Sequence, residues 1–396
     1  MKILSIHYII FLLCMIACNS NATKEETETK TEQKDIMVKA PGKDDMILLT
    51  DRPANLETPL WYFKYDYTPN NVFFVRWHLA NMPSRVDTNE FRLKVGGHVN
   101  HSISLSLHDL KTKFKTYTII ALAACAGNAR SHFDPQVPGG QWKNGAMGNA
   151  KWTGVKLKDI LYMAGVKNGA IEVSFNGLDE PPLESVPDFV KSLKFDHAID
   201  GEVMVAYEMN DKPLPLLNGY PLKLVVPGWY ATYWVGMLNE IKVYNDTFKG
   251  YWMQKAYLVP KGVKNGDEKH DNLAKDLVPI SKMDVRSIFV NPEPNTIIKA
   301  NENCELEGLA FDGGDGISKV EISMDNGKTW HATNLNTELG KYAWRRWKYN
   351  WKPNAAGKYI IRVKATNSLG ETQPAHQWNR SGYMRNEIET LTITVE

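Results

Sequence analysis

The sequence predicts an α+β domain followed by an all-β sandwich. Three observations carry this reading. Between about Met46 and Tyr257, short strand-like runs are mixed with short helical ones. Residues 261–275 are charged and contain glycine, as suits a linker or long loop. Beyond them, alternating apolar runs recur with turn signals between them. A chain of 396 residues with 43% hydrophobic content has room for two or three such units and a sizeable core.

Taken in order, residues 1–17 read as an export address. Lys2 precedes an apolar run that is too short to span a membrane comfortably and is followed by a polar stretch. Met15-Ile16-Ala17-Cys18 resembles a bacterial lipobox, in which Cys18 would be acylated as a lipid anchor. An ordinary signal peptide cut near Ala17, with Cys18 incidental, is the alternative. Either way the expectation is an exported protein, and in the first case a periplasm-facing, membrane-anchored lipoprotein. Residues 18–45 have little to bury and read as a disordered tether.

The α+β domain is expected over 46–260. Residues 91–95 alternate and end at Gly96-Gly97; residues 117–124 form a continuous apolar run of strand length. Residues 157–162 have helical spacing and stop before Gly165. Residues 222–227 and 241–244 are again strand-like. The sandwich is expected over 275–396. Residues 320–324 alternate, Asp325-Asn326-Gly327-Lys328 supplies a hairpin turn, and 359–363 and 390–395 alternate too. Trp330, Trp344, Trp347 and Trp351 fit core and interface packing better than a ligand box.

Charge excludes one class of partner. Lys+Arg 47 against Asp+Glu 45 leaves a formal net charge of +2, with no electrostatic reason to expect nucleic acid. Any pull on an anionic substrate must be local.

Cys125-Ala126-Gly127-Asn128-Ala129-Arg130 carries the most chemical information. A buried strand ends in a cysteine, with a glycine turn and an arginine behind it. A lone cysteine in such a setting is commonly a small core residue, whereas a strand-end thiol can also bind metal or act as a nucleophile. Residues 139–150 look too rich in Gly and Asn to be an element interior, so they suggest a loop whose backbone approaches a large ligand. Upstream, Arg76 and His78 are two apart and would point the same way in extended geometry; His78 alone would be read as a structural histidine.

These residues together resemble the sulfite oxidase family of molybdenum cofactor enzymes. The resemblance runs through Cys125-Ala-Gly-Asn with Arg130, through Gly-Ala-Met-Gly-Asn-Ala-Lys-Trp-Thr-Gly-Val at 145–155, and through Val-Arg-Trp-His at 75–78. Val-Ala-Tyr-Glu-Met-Asn from Val205, Val-Val-Pro-Gly from Val225 and Gly-Tyr-Trp-Met-Gln-Lys-Ala-Tyr ending at Tyr257 follow in family order. The tail, with Trp378-Asn379 and Gly382-Tyr383-Met384-Arg385-Asn386, resembles the family's immunoglobulin-like dimerisation domain. The likeness is nearest to periplasmic bacterial sulfite dehydrogenases.

The resemblance implies a sulfite-oxidase-type molybdopterin-binding domain, an immunoglobulin-like domain and a homodimer. It implies Cys125 as the thiolate on molybdenum, sound ligand logic for a soft donor. It implies Arg76 and Arg130 gripping a sulfite-sized oxyanion, Tyr257 at the reacting group, Trp142 walling the pocket, and His78 against the cofactor. The reaction implied is oxygen-atom transfer from sulfite to sulfate. Three positions depart from the family pattern. Trp234-Val235-Gly236-Met237 stands where a basic pterin-phosphate contact is usual, and Asn218 and Lys223 replace a histidine and an arginine. Asp179 is a candidate pterin contact, and Arg380 a candidate to reach a partner's active site. No Cys-x-x-Cys-His occurs and no b-type haem segment precedes Met46, so the chain is read as haem-free and electrons would pass to an external cytochrome c.

Rival readings are a sulfane dehydrogenase or a sulfoxide reductase of the same superfamily. Outside it stand a non-catalytic, partner-binding lipoprotein and a Cys125/His78 thiol hydrolase.

Overall fold

The computed structural model describes residues 35–396. The acylation candidate Cys18 and the export segment lie outside the described residues. Ordered strand begins earlier than expected: Met37–Ala40 and Lys43–Thr50 form a hairpin that starts within residues 18–45, the stretch read as tether. The hairpin forms because Met46 is fully buried, packing with Leu56, Val72, Val75 and Trp77 in a small apolar cluster. With Asn55–Glu57 and Val75–Arg76 it makes a four-stranded antiparallel sheet, whose last strand carries Arg76.

Two five-stranded sheets form the body of the first domain. In one, Tyr117–Ala124 runs antiparallel to Met147–Lys156, which pairs Met204–Met209. In the other, Glu240–Tyr244 joins Glu172–Asn176 to Leu93–Gly97, the latter in parallel. Helices are few and short; Leu157–Ala164 is one, stopped by Gly165 in the left-handed conformation as its sequence predicts. The domain is therefore mostly β. No helix among the described residues is long and apolar enough to cross a membrane.

Residues 261–275 are a tied-down loop. Leu258–Pro260 and Leu277–Pro279 pair at its base, and Glu268 within it binds Arg380. Arg380 is thus engaged inside its own chain.

The C-terminal region is a two-sheet β-sandwich. One sheet contains Arg286–Asn291, Cys304–Phe311 and Arg345–Trp351; the other contains Ile317–Ser323, Gly357–Asn367 and Glu389–Val395. Leu306, Ile322, Trp347, Ile361 and Ile393 are buried between them. The tryptophans form no box. Trp347 fills the sandwich core and its indole donates to Ser287 Oγ, whereas Trp344 packs edge-on against Phe63 of the first domain at 5.2 Å. Cys304 is only half-buried.

Candidate active site

Cys125 is placed by the strand before it. Leu122, Ala123 and Ala124 are buried, the Cys125 N–H donates to Ala146 O at 2.9 Å, and the thiol is free and 6% exposed. The chain then turns sharply: Asn128 N–H donates to Cys125 O at 3.0 Å, and Ala129 adopts a left-handed φ of 62°.

The glycines at 145–148 serve protein packing. Residues 147–150 are buried strand, not a ligand-cradling loop. A Cβ on Gly145 would lie 2.0 Å from Thr58 O, and one on Gly148 would lie 2.5 Å from the Phe73 ring. Their small size lets neighbouring strands approach, which is also a reason for glycine in a sheet.

Eight of the residues singled out from sequence line one recess: Arg76, His78, Cys125, Asp179, Asn218, Lys223, Trp234 and Tyr257. Its empty space is about 750 Å³, open mouth and solvent included. Tyr257, held at a left-handed φ of 57°, is its hub. Its hydroxyl lies 2.5 Å from His78 Nε2 and accepts from an Arg76 guanidinium nitrogen at 3.5 Å. With Arg76 donating into the phenol oxygen, the phenol proton is left to point at His78. Burial, then Arg76 and Lys191, hold His78 well below the usual imidazole range, so it is neutral. Burial pushes the Tyr257 phenol up, against the pull of Arg76, so it stays protonated. His78 stacks on Phe189 at 3.6 Å, which fixes the ring.

Arg130 and Trp142 are not among the recess-lining residues. Trp142 is buried in the core, its carbonyl accepting from the Ser131 hydroxyl, so it does not wall the recess. Arg130 is buried with Nε donating to Gly382 O at 3.0 Å and its terminal nitrogens to Gly140 O and Ser381 O at 3.3 and 3.4 Å. Much of its donor capacity is taken up by backbone, so the expected grip by two free arginines is not what the structure presents.

Two lysines escaped the sequence reading. Lys43, 5% exposed, donates to Asn70 O, Phe73 O and Asn218 Oδ1, at 2.7, 2.9 and 2.5 Å. Burial and the nearby Lys223 bring it down to about 7. Its setting, Gly42-Lys43-Asp44-Asp45, looks solvated; nothing in it signals burial. Lys191 is fully buried, donates to Trp252 O at 2.7 Å, and lies over the Tyr233 and Tyr257 rings at 4.5 and 5.2 Å. A lysine flanked by apolar residues, in Phe189-Val190-Lys191-Ser192-Leu193, was the available signal.

Burial lowers Lys191 from 10.5 to about 7. The unfolded chain therefore binds this proton more tightly than the folded one, and folding stability rises with pH across that interval. Compared with Lys191→Met, the wild type should gain about 1 kcal/mol per pH unit between those limits and nothing below the lower one. Urea unfolding of both proteins at several pH values measures this; a pH-independent difference would refute it.

The recess also shows what it would bind. Among the described residues no cluster of three His, Cys, Asp or Glu could hold a metal, so a metal at Cys125 would need further ligands brought by a cofactor. Asp179 and Lys223 line the recess with no salt-bridge partner among the described residues, and burial raises Asp179 to about 7. Lys223 and the Lys43–Asn218 pair give one part of the recess an excess of cationic groups that an anionic group would offset. One soft thiol, one polar acceptor and an anion-seeking end fit a large, anionic, metal-carrying cofactor.

Comparisons with known proteins agree. Residues 79–252 match the oxidoreductase molybdopterin binding domain family, and 278–396 the Mo-co oxidoreductase dimerisation domain family. The mitochondrial sulfite oxidase of Rattus norvegicus is 33% identical over 364 residues, covering 87% of this chain and 65% of that protein; the chain thus spans about 65% of the length of that relative. Gallus gallus sulfite oxidase is 30% identical over 351 residues, covering 85% of this chain and 75% of that protein. The structure of the sulfane dehydrogenase SoxCD from Paracoccus pantotrophus superposes with a TM-score of 0.74 at 24% identity, covering 88% of each chain, which speaks to fold. The chain belongs to the sulfite oxidase family of molybdopterin-binding oxidoreductases.

Proposed function

We propose that the protein is a sulfite dehydrogenase, oxidising sulfite to sulfate with water as the oxygen source and releasing two electrons and two protons per turnover. The observation that carries this is the Arg76–Tyr257–His78 cluster set in the recess that holds the Cys125 thiol. Cys125, Asp179, Asn218, Lys223 and Trp234 would hold the molybdenum cofactor. When bound, that cofactor supplies the oxygen-atom and two-electron chemistry. The protein's own part is local. Arg76 provides fixed positive charge for an oxyanion in a water-poor site. Tyr257 presents its phenol oxygen at the recess beside Arg76, and neutral His78, at which the phenol proton points, takes that proton or returns it. Phe189 and Trp234 keep bulk water away.

Electrons would pass to a separate acceptor, a cytochrome c. The C-terminal sandwich, immunoglobulin-like in this reading, would form a homodimer, and Cys18 would carry the lipid that anchors the exported protein to a membrane. Cys18→Ala should then abolish fatty-acid labelling.

The test is steady-state turnover of the purified, molybdenum-loaded protein with sulfite and oxidised cytochrome c. Comparison assays use a methyl sulfoxide with a reduced dye and a carrier-bound persulfide. Sulfite-dependent cytochrome reduction with stoichiometric sulfate is expected. Turnover of the sulfoxide or persulfide alone would replace this reading with a reductase or a sulfane dehydrogenase.

A further inference from the structure

Residues 379–384 leave the β-sandwich and return to the Cys125 turn. Met384 N–H donates to Ala126 O at 2.8 Å, one residue past the thiol. Asn379 brackets Tyr383, its Oδ1 accepting from Tyr383 N–H at 3.2 Å and its Nδ2 donating to Tyr383 O at 2.9 Å. Gly382, at a φ of +62°, is required here: a Cβ would lie 2.6 Å from Arg130 Nε. These contacts present the Tyr383 ring nearly parallel to Tyr257, at 5.0 Å and 19°, with the Arg130 guanidinium 4.8 Å from the Tyr383 ring centre. An aromatic and a cation at that range attract each other, so ring and guanidinium hold one another.

Tyr257 therefore belongs to two environments. It lines the recess on one side, and it stacks on Tyr383, which is not among the recess-lining residues, on the other. With a cofactor in the recess, a substrate approaching Tyr257 from the Tyr383 side would meet the Tyr383 ring first. Tyr383 is only half-buried and its hydroxyl has no hydrogen-bond partner among the described residues. Burial, and then Tyr257, keep its phenol well above the ordinary range, so it remains a donor.

We propose that Tyr383, supplied by the C-terminal domain, is a specificity-determining residue. Its ring limits the substrate side to small oxyanions, and its hydroxyl donates a hydrogen bond to the bound anion. This rests on the oxyanion reading of the same site.

The test compares wild type, Tyr383→Phe and Tyr383→Ala, each at measured molybdenum content, with sulfite and with benzenesulfinate. Both substrates gain one oxygen from water and yield two electrons and two protons. The second, however, replaces an oxygen by a phenyl ring. Tyr383→Phe should raise KM for sulfite about 10-fold, the loss of one hydrogen bond to a charged group, with kcat within about twofold. Tyr383→Ala should raise kcat/KM for benzenesulfinate at least about 10-fold while that for sulfite falls. Equal changes for both substrates, or none, would overturn the proposal. Sulfate binding followed by tryptophan fluorescence separates the two claims. If the wild type fails to oxidise sulfite but binds sulfate, and Tyr383→Phe weakens that binding, Tyr383 keeps its role and the sulfite dehydrogenase reading falls. Unchanged sulfate affinity in Tyr383→Phe counts against Tyr383 whatever the wild type oxidises.

Discussion

Cys125→Ser is expected to lower turnover by at least about 10³-fold, because a hard hydroxyl is a poor substitute for a soft thiolate on a transition metal. The fold should survive. Serine differs from cysteine by one atom, and the Cys125 main chain keeps its bonds to Ala146 and Asn128. The measurements are molybdenum per chain, sulfite-dependent electron transfer and thermal unfolding, taken on the same preparations. Wild-type turnover in the serine variant would remove Cys125 from the chemistry. A variant that fails to fold would instead mark Cys125 as a packing residue. Cys125→Ala, which is smaller and apolar, tells the cases apart: it should fold and be equally inactive.

Arg286→Ala is expected to cost about 3 kcal/mol of stability, since breaking a buried ion pair leaves its partner uncompensated. Arg286 is 3% exposed and pairs with Glu389, and it also donates to Asn128 Oδ1 at 3.3 Å and Asn144 Oδ1 at 2.6 Å. Arg385 remains beside Glu389 at 3.2 Å, which keeps the cost at the lower end for a buried pair. The sign with pH is definite. Burial pushes the Glu389 carboxyl up, but Arg385 and Arg286 outweigh it and hold it at about 2, against an ordinary 4.5. The stability this contributes is present above the ordinary value and is lost as pH falls through the folded one. The deficit of Arg286→Ala should therefore be largest near neutrality and shrink in acid, as urea unfolding at pH 7 and pH 3 would show. A deficit that stays constant would mean that packing, not charge, is what Arg286 contributes. Because Asn128 and Asn144 flank the Cys125 turn, turnover should fall as well.

Much of this architecture is legible along the chain. Residues 117–124 read as strand because eight successive residues carry no breaker and only modest polarity, and the strand there is Tyr117–Ala124. Gly165 reads as a helix stop because few other residues take its φ of 65° cheaply. The recess residues are legible through family resemblance rather than periodicity, because Arg76, Asp179, Lys223 and Tyr257 come from segments that only tertiary folding unites.

What is hidden is hidden for physical reasons. A lysine's burial depends on carbonyls it meets far along the chain, as Lys43 meets Phe73 O. Gly148 looks like loop chemistry until Phe73 is seen to occupy the place of its missing side chain. Arg130 looks free until residues 381–382 arrive to take its donors.

The return of residues 379–384 to the Cys125 turn also bears on the order of events in biosynthesis. The thiol and its turn emerge from the ribosome long before Arg286, Tyr383 and Met384, which complete their surroundings. A chain truncated after the first domain would hold every recess-lining residue named here and still lack the contacts that Arg286, Gly382 and Met384 make to the Cys125 turn and Arg130. Maturation of this site is thus expected to await synthesis of residues 379–384, and truncation just before residue 379 should impair the site while leaving every residue of the recess in place.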